Sequence, residues 1–147
     1  MITYTNTEKI TATAFADVLS KSGIHRPVDD LARLEQMLEN SSCLWTAWDG
    51  DKLVGVARAL SDFSYACYLS DLAVDKTYQR QGIGRQLVEH LKAQMGEDVS
   101  LVLLAAPSAM DYYPKINFKK ANNAFIIHEN LFKKRRNNAT FDLACLA

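Results

Sequence analysis

Cysteine is scarce and unpaired in this chain. Cys43, Cys67 and Cys145 are odd in number, widely spaced and without a CxxC pair, which argues against a disulfide framework or a zinc site and fits a reducing compartment. An excess of charge of either sign is also lacking. Lys plus Arg and Asp plus Glu stand at 17 each, so no global field favours nucleic acid, an anionic membrane or an acidic partner, and any basic recognition must be local. No apolar run approaches the ~20 residues of a membrane span, and the N-terminal MITYTNTEKI has neither a basic n-region nor an apolar h-region. The expectation is a cytoplasmic protein with no membrane association. Internal repeats, low-complexity tracts and interdomain linkers are missing too, so 147 residues, 48% of them hydrophobic, read as one domain with a real core.

What is present divides into short units. Ile2 to Thr5 reads as a first strand, and Ile10, Ala14, Val18 and Leu19 recur at helical spacing over Ile10 to Ser20, stopped by Ser22-Gly23. After the loop Gly23 to Val28, Asp29 or Asp30 can cap a second helix in which Leu31, Leu34 and Leu38 share a face. Leu44 to Trp48 and Leu53 to Leu60 are two strands joined by a tight Asp49-Gly50 turn. A third strand, Tyr65 to Val74, is mostly apolar on both faces, which predicts a central position. Ile83, Leu87, Leu91 and Met95 form the buried stripe of a helix ending at Gly96. Val99 to Ala106 predicts a strand covered on both faces and parallel to its predecessor across that helix. Pro107-Ser108 opens a short helix through Tyr112-Tyr113 that Pro114 should curtail, and Ala124 to His128 predicts another strand after an Asn122-Asn123 turn.

The stretch Tyr68 to Met95 carries the strongest chemical signal: strand, polar turn with two closely spaced glycines, amphipathic helix. Turn glycines let backbone approach an anion, and the first N–H groups of a helix lack internal partners and sit at the positive end of the macrodipole. Arg80 and Arg85 would reinforce such a site. Two phosphate motifs are excluded. A P-loop needs Lys-Ser or Lys-Thr after its last glycine, but Arg85-Gln86 follows Gly84; a dinucleotide fingerprint needs a third glycine where Leu87 stands. Gln79-Arg80-Gln81-Gly82-Ile83-Gly84 instead closely resembles the Q/R-x-x-G-x-G/A signature of the GNAT superfamily of N-acetyltransferases. Leu72-Ala73-Val74 precedes it at the family's usual distance, and Tyr112-Tyr113-Pro114-Lys115-Ile116-Asn117-Phe118 resembles the later F-Y-x-x-x-G-F element.

The resemblance covers nearly the whole chain and implies one N-acetyltransferase domain of α/β class: a mixed, mostly antiparallel sheet flanked by helices, with a central parallel β–α–β unit. It implies acetyl-CoA as co-substrate and no metal. The pyrophosphate would lie on backbone N–H groups of Arg80, Gln81, Gly82, Ile83, Gly84 and Arg85, and pantetheine along Leu72, Ala73 and Val74, as an added strand would. Tyr113 matches the family's general acid, and a phenol of reference pKa about 10 facing a thiol of about 8.5 is protonated at neutral pH. The attacking ammonium must lose a proton. Asp71, the one acidic residue inside the central strand, either accepts it, directly or through water, or is a structural carboxylate bonded to backbone or to a hydroxyl such as Tyr65 or Ser70. His25 and Arg26 lie in the loop where the family often builds a wall of the acceptor site, with Phe63 and Tyr65 as further lining candidates. His90, His128 and Cys67 read as structural. Two positions depart from the family pattern. Ala106 stands where an asparagine that contacts pantetheine is frequent, and Asn117 replaces a glycine, which Asn tolerates because it enters left-handed conformations readily.

Two functional classes follow. The first is an N-acetyltransferase in which a primary amine, on a small molecule or a protein, attacks acetyl-CoA directly in a ternary complex. The alternative lacks catalysis: a coenzyme-A-binding regulatory module, or a nucleic-acid- or protein-binding module using Lys133-Lys134-Arg135-Arg136. A four-residue basic run is usually a solvated turn, and the charge balance gives it no supporting field, so nucleic acid is not expected as a partner. The apolar segment Phe141 to Leu146 completes the sheet or pairs with another subunit, which makes a homodimer the expectation.

Overall fold

A computed structural model describes residues 1–129. The chain forms β1 (Ile2–Thr5), α1 (Ala12–Ser22), α2 (Leu31–Glu39), β2 (Cys43–Asp49), β3 (Lys52–Ser61), β4 (Ala66–Val74), α3 (Ile83–Met95) and β5 (Ser100–Val102). Caps set the helix limits. Thr11 Oγ1 accepts the Ala14 N–H at 3.1 Å and Gly23 closes α1 in a left-handed conformation (φ 82°), so α1 starts and ends two residues later than its apolar spacing predicts. Asp30 caps α2 through the Arg33 N–H at 3.1 Å.

The strands lie in the order β1-β2-β3-β4-β5, antiparallel up to β4 and parallel between β4 and β5, where α3 makes the crossover. The two faces bury separate clusters. Ile83, Leu87, Leu91 and Met95 of α3 pack on Ala47, Val54, Ala57 and Leu69; Phe15, Val18 and Leu19 of α1 with Leu34 of α2 pack on Val56 and Ala73. This mixed sheet flanked by helices is the α/β architecture expected.

Four expectations are corrected. The sheet's centre is β3, whose Val54 to Ala59 are all buried, whereas β4 has a strand neighbour beyond it only at its start. β5 is three residues long, and Ser100, Val102, Leu104 and Ala106 are exposed, because among the described residues β5 is the sheet's edge and nothing covers that face. Ala124 to His128 forms no strand there, and Phe125, Ile126 and Ile127 are exposed. Pro114 does not curtail a helix but opens a 3₁₀ turn, Tyr113–Ile116, separate from another at Pro107–Ala109; proline suits a first turn because the N–H it lacks has no partner there. The basic run at 133–136 and the apolar segment at 141–146 lie outside the described residues.

One irregularity positions the site. Arg58 pairs with Asp71 but Ala59 with Leu69, so Ser70 is an extra residue bulging from β4. Pairing with β5 stops nearby, at Tyr68 with Val102. From Ser70 to Val74, the β4 edge that faces away from β3 therefore has no strand neighbour among the described residues.

Candidate active site

The open edge leads into the glycine turn. Asp75 accepts the Thr77 N–H at 2.9 Å and shapes the turn after β4, and the Gln79 side-chain amide donates to the Val74 carbonyl at 2.9 Å, tying the turn back to the strand end. Arg80 (φ 64°) and Gly82 (φ 82°) are both left-handed, and they turn the backbone into α3. Gly82 is the N-cap and supplies no side-chain bond, so the first N–H groups of α3 are left for an anion. The Arg85 guanidinium lies along the helix on Glu89 at 2.8 Å, half-exposed, and Arg80 and Gln81 are exposed. Gly84 leaves room for a side chain: a Cβ there would stand 2.6 Å from the Tyr112 hydroxyl oxygen, so the ring or the turn would have to shift.

A second feature occupies the face of the sheet under α1 and α2. Arg26 Nε, from the loop between those helices, and Arg58 Nε, from β3, each hold one oxygen of the Asp71 carboxylate on β4. Arg26 also donates to the carbonyls of Ser70 at 2.8 Å and His25 at 2.6 Å, and Arg58 to Ser70 Oγ at 2.8 Å. Asp71 is wholly buried and Arg58 nearly so. Its two guanidinium partners correct the reading of Asp71 as a direct base: the carboxylate has no solvent-facing edge from which to meet an amine. The structural alternative, a carboxylate satisfied by its neighbours, is the one this geometry supports. The hydroxyl at hand is that of Ser70, which meets Arg58 and not Asp71.

Tyr113 is the third part. It packs edge-on against Tyr112 (centroids 5.3 Å) and Phe118 (5.5 Å). Burial pushes its phenol above the ordinary tyrosine value, with Tyr112 adding to the rise and the Arg26 guanidinium opposing it. Asn117 closes the turn at φ 72°, the left-handed geometry the sequence anticipates for it.

The other candidates scatter. His25 is exposed and contributes its carbonyl to Arg26. Phe63 and Tyr65 are exposed at the β3–β4 turn, and seven residues of strand, roughly 23 Å, separate Tyr65 from Leu72, so neither is brought to the open edge. Two residues were missed. Arg58 had a signal, being the one charge within the apolar run Leu53 to Leu60, since a buried charge requires a partner. Tyr112, to which the sequence assigns no role of its own, sets its hydroxyl against Gly84, a contact between residues 28 positions apart that sequence spacing does not reveal.

Comparison with known proteins agrees with this geometry. A family profile described as "Acetyltransferase (GNAT) domain" matches residues 15–130. The chain is similar to GCN5-related N-acetyltransferase 2, chloroplastic, of Arabidopsis thaliana, 35% identical over 98 residues that make up 60% of this chain and 38% of that protein. It is also similar to Serotonin N-acetyltransferase 2, chloroplastic, of Oryza sativa subsp. japonica, 29% identical over 71% of this chain and 54% of that one. The chain thus spans about two-fifths to a little over half the length of these curated relatives. Among solved structures, a GNAT family acetyltransferase from Streptococcus pneumoniae superposes with a TM-score of 0.69 at 25% identity, covering 88% of this chain and 99% of the other. The aminoglycoside N-acetyltransferase AAC(6')-Iy, in complex with CoA, shares the fold at a TM-score of 0.67 and 14% identity, covering 88% and 95%. With the glycine turn, the open β4 edge and a family match over most of its length, the chain belongs to the GNAT acetyltransferase family.

Proposed function

We propose that this protein is an acyltransferase that moves the acetyl group of acetyl-CoA to a primary amine, by direct attack of the amine within a ternary complex. The observation that carries the reading is the continuity of an unpaired β4 edge, Ser70 to Val74, with a helix start that lacks a side-chain cap. The residues present fit the coenzyme. Uncapped N–H groups of α3 suit a pyrophosphate, Gly82 opens onto free space, and the strand edge offers backbone groups to the pantetheine amides. Bound acetyl-CoA would supply an activated acyl group with a thiolate as leaving group.

The chain's own residues then divide the work. An N–H of the β4 edge stabilises the charge that develops on the carbonyl oxygen, in a position set before reaction by the Ser70 bulge. Tyr113, held protonated by burial, donates to the departing sulfur. Asp71 serves as a positioning residue: it fixes Arg26, and through it the loop between α1 and α2, against β4. Proton loss from the amine then goes to solvent, by way of water in the open groove.

Thiol release from acetyl-CoA with a panel of amines tests the reading, alongside acetyl-CoA affinity by calorimetry. Tyr113→Phe should slow turnover about a hundredfold with affinity retained. Gly82→Trp should abolish acetyl-CoA binding; unchanged affinity in that variant would sink the pyrophosphate assignment.

A further inference from the structure

Next to the Arg26–Asp71–Arg58 cluster lies an open surface cavity of about 400 Å³ between α2 and β3, lined by Met37, Arg58 and the exposed Arg33, Gln36, Asn40 and Leu60. Two guanidinium groups and two amides face it, and none of these six residues is acidic. We infer that this cavity binds the far end of the acceptor and that this end is an anion, a carboxylate or a phosphate. The inference rests on the acetyl-transfer reading and names its substrate class.

The argument begins with charge. Arg26 and Arg58 share the single carboxylate of Asp71, and among the described residues neither makes another ion pair. The cluster therefore keeps one net positive charge: Arg58 is only 5% exposed, while the Arg26 side chain, 29% exposed, reaches water. Two guanidinium groups on one carboxylate leave the cluster short of negative charge, so an anion beside Arg58 is favoured. Arg33 adds a second cation on the same wall. Its ion pair with Glu129 is long, 3.7 Å, between two exposed side chains, and is readily exchanged for a better one.

Geometry agrees. Arg58 Nη1 makes only long bonds, 3.3 Å to Ser41 Oγ and 3.4 Å to the carbonyl of Met37, and Met37 lines the cavity. A ligand oxygen at the usual charge-assisted distance would improve on both. The cavity lies one strand away from the reaction edge, since Arg58 on β3 stands opposite Asp71 on β4, one residue before Leu72. Leu60, Tyr68 and Val102 pair side by side across β3, β4 and β5 and are each 38–50% exposed, an apolar strip beside the cavity for the body of a small substrate. The same positive charge that attracts the anionic end opposes an ammonium, so the amine end is met preferentially as its free base.

The test uses the full chain, acetyl-CoA and four amines of similar size: 4-aminobutyrate, O-phosphoethanolamine, n-butylamine and 1,4-diaminobutane. Thiol release gives kcat/KM for each, and ligand-observed NMR on protein saturated with CoA gives binding independently of turnover. An anionic amine should exceed the neutral and dicationic ones roughly tenfold, and the order of the two anionic amines separates carboxylate from phosphate. Arg33→Gln should cut that preference about fivefold, with Arg33→Lys restoring part of it. Equal or better use of n-butylamine or 1,4-diaminobutane overturns the inference, as does a preference that survives Arg33→Gln. Turnover of none of the four leaves the decision to NMR, where failure of the anionic amines to bind more tightly overturns it equally. Loss of acetyl-CoA binding would be the separate failure of the acetyl-transfer reading, and amine binding is then read on the free protein.

Discussion

The proposed donor side and the proposed acceptor side of this molecule are built from different materials. The donor side is backbone: a bulge, an open strand edge, two left-handed residues and a helix start, contiguous from Ser70 to Arg85. The acceptor side is charged side chains, with Arg26 reaching Asp71 across 45 residues of sequence and Arg58 across 13. The difference teaches where tolerance lies. Backbone groups cannot be deleted by substitution, so the donor side fails through conformation and sterics. A side-chain cluster in a buried setting fails through uncompensated charge.

The sharpest way to break that contrast is at Asp71. Asp71→Ala leaves two guanidinium groups under α1 and α2 without a counterion, and should cost about 3–5 kcal/mol in urea unfolding. A loss below about 1 kcal/mol would mean that the cluster is solvated and not structural.

Tyr113, packed edge-on against the Tyr112 ring that meets Gly84, comes next. Its pKa is raised by burial, and an acid must be protonated to act, so activity should be lost only as pH rises through a value above the ordinary tyrosine pKa of about 10. A pH profile in which a step removed by Tyr113→Phe falls well below pH 10 would count against the assignment.

The donor side's steric character is tested at Gly84. Gly84→Ala drives a methyl to 2.6 Å from the Tyr112 hydroxyl, and should weaken acetyl-CoA binding about tenfold by displacing the turn. In the double variant Gly84→Ala/Tyr112→Phe, the next atom, Tyr112 Cζ, is 3.6 Å away, so most of the affinity should return. Additive losses would show that the contact is not the cause.

The smallest effect joins the two materials in one residue. Asp62 is a side chain held by backbone, its carboxylate accepting the N–H groups of Tyr65, Ser64 and Ala66, and those bonds lower its pKa to about 2. A depressed folded pKa contributes stability that is present above the unfolded value, about 3.9, and is lost as pH falls through about 2. NMR titration should place the Asp62 transition there, with the β3–β4 turn loosening in the same window and Asp62→Asn removing that pH dependence.

Legibility followed the same division. Strands β1 to β4 and helices α1 to α3 were readable, because alternation, helical spacing and caps such as Asp30 and Gly96 are local. The glycine turn was readable down to individual residues for the same reason. β5 was misjudged since an apolar run tells how much can be buried but not whether a neighbour arrives to bury it. Pro114 was misjudged since its effect depends on whether it falls inside a helix or in a first turn. The distance of Phe63 and Tyr65 from the open edge was hidden for a similar reason, since it depends on where the strand between them and Leu72 runs.

From sequence alone came the family resemblance, the order of the elements and the glycine turn at Gln79 to Gly84, all properties of contiguous residues whose geometry is dictated by local sterics and hydrogen bonding. Only the tertiary structure decided what surrounds Asp71. A carboxylate in a strand is available as a base or tied up as an anchor according to which charges the fold carries to it, and here the loop between α1 and α2 and strand β3 bring two arginines that the linear order keeps apart.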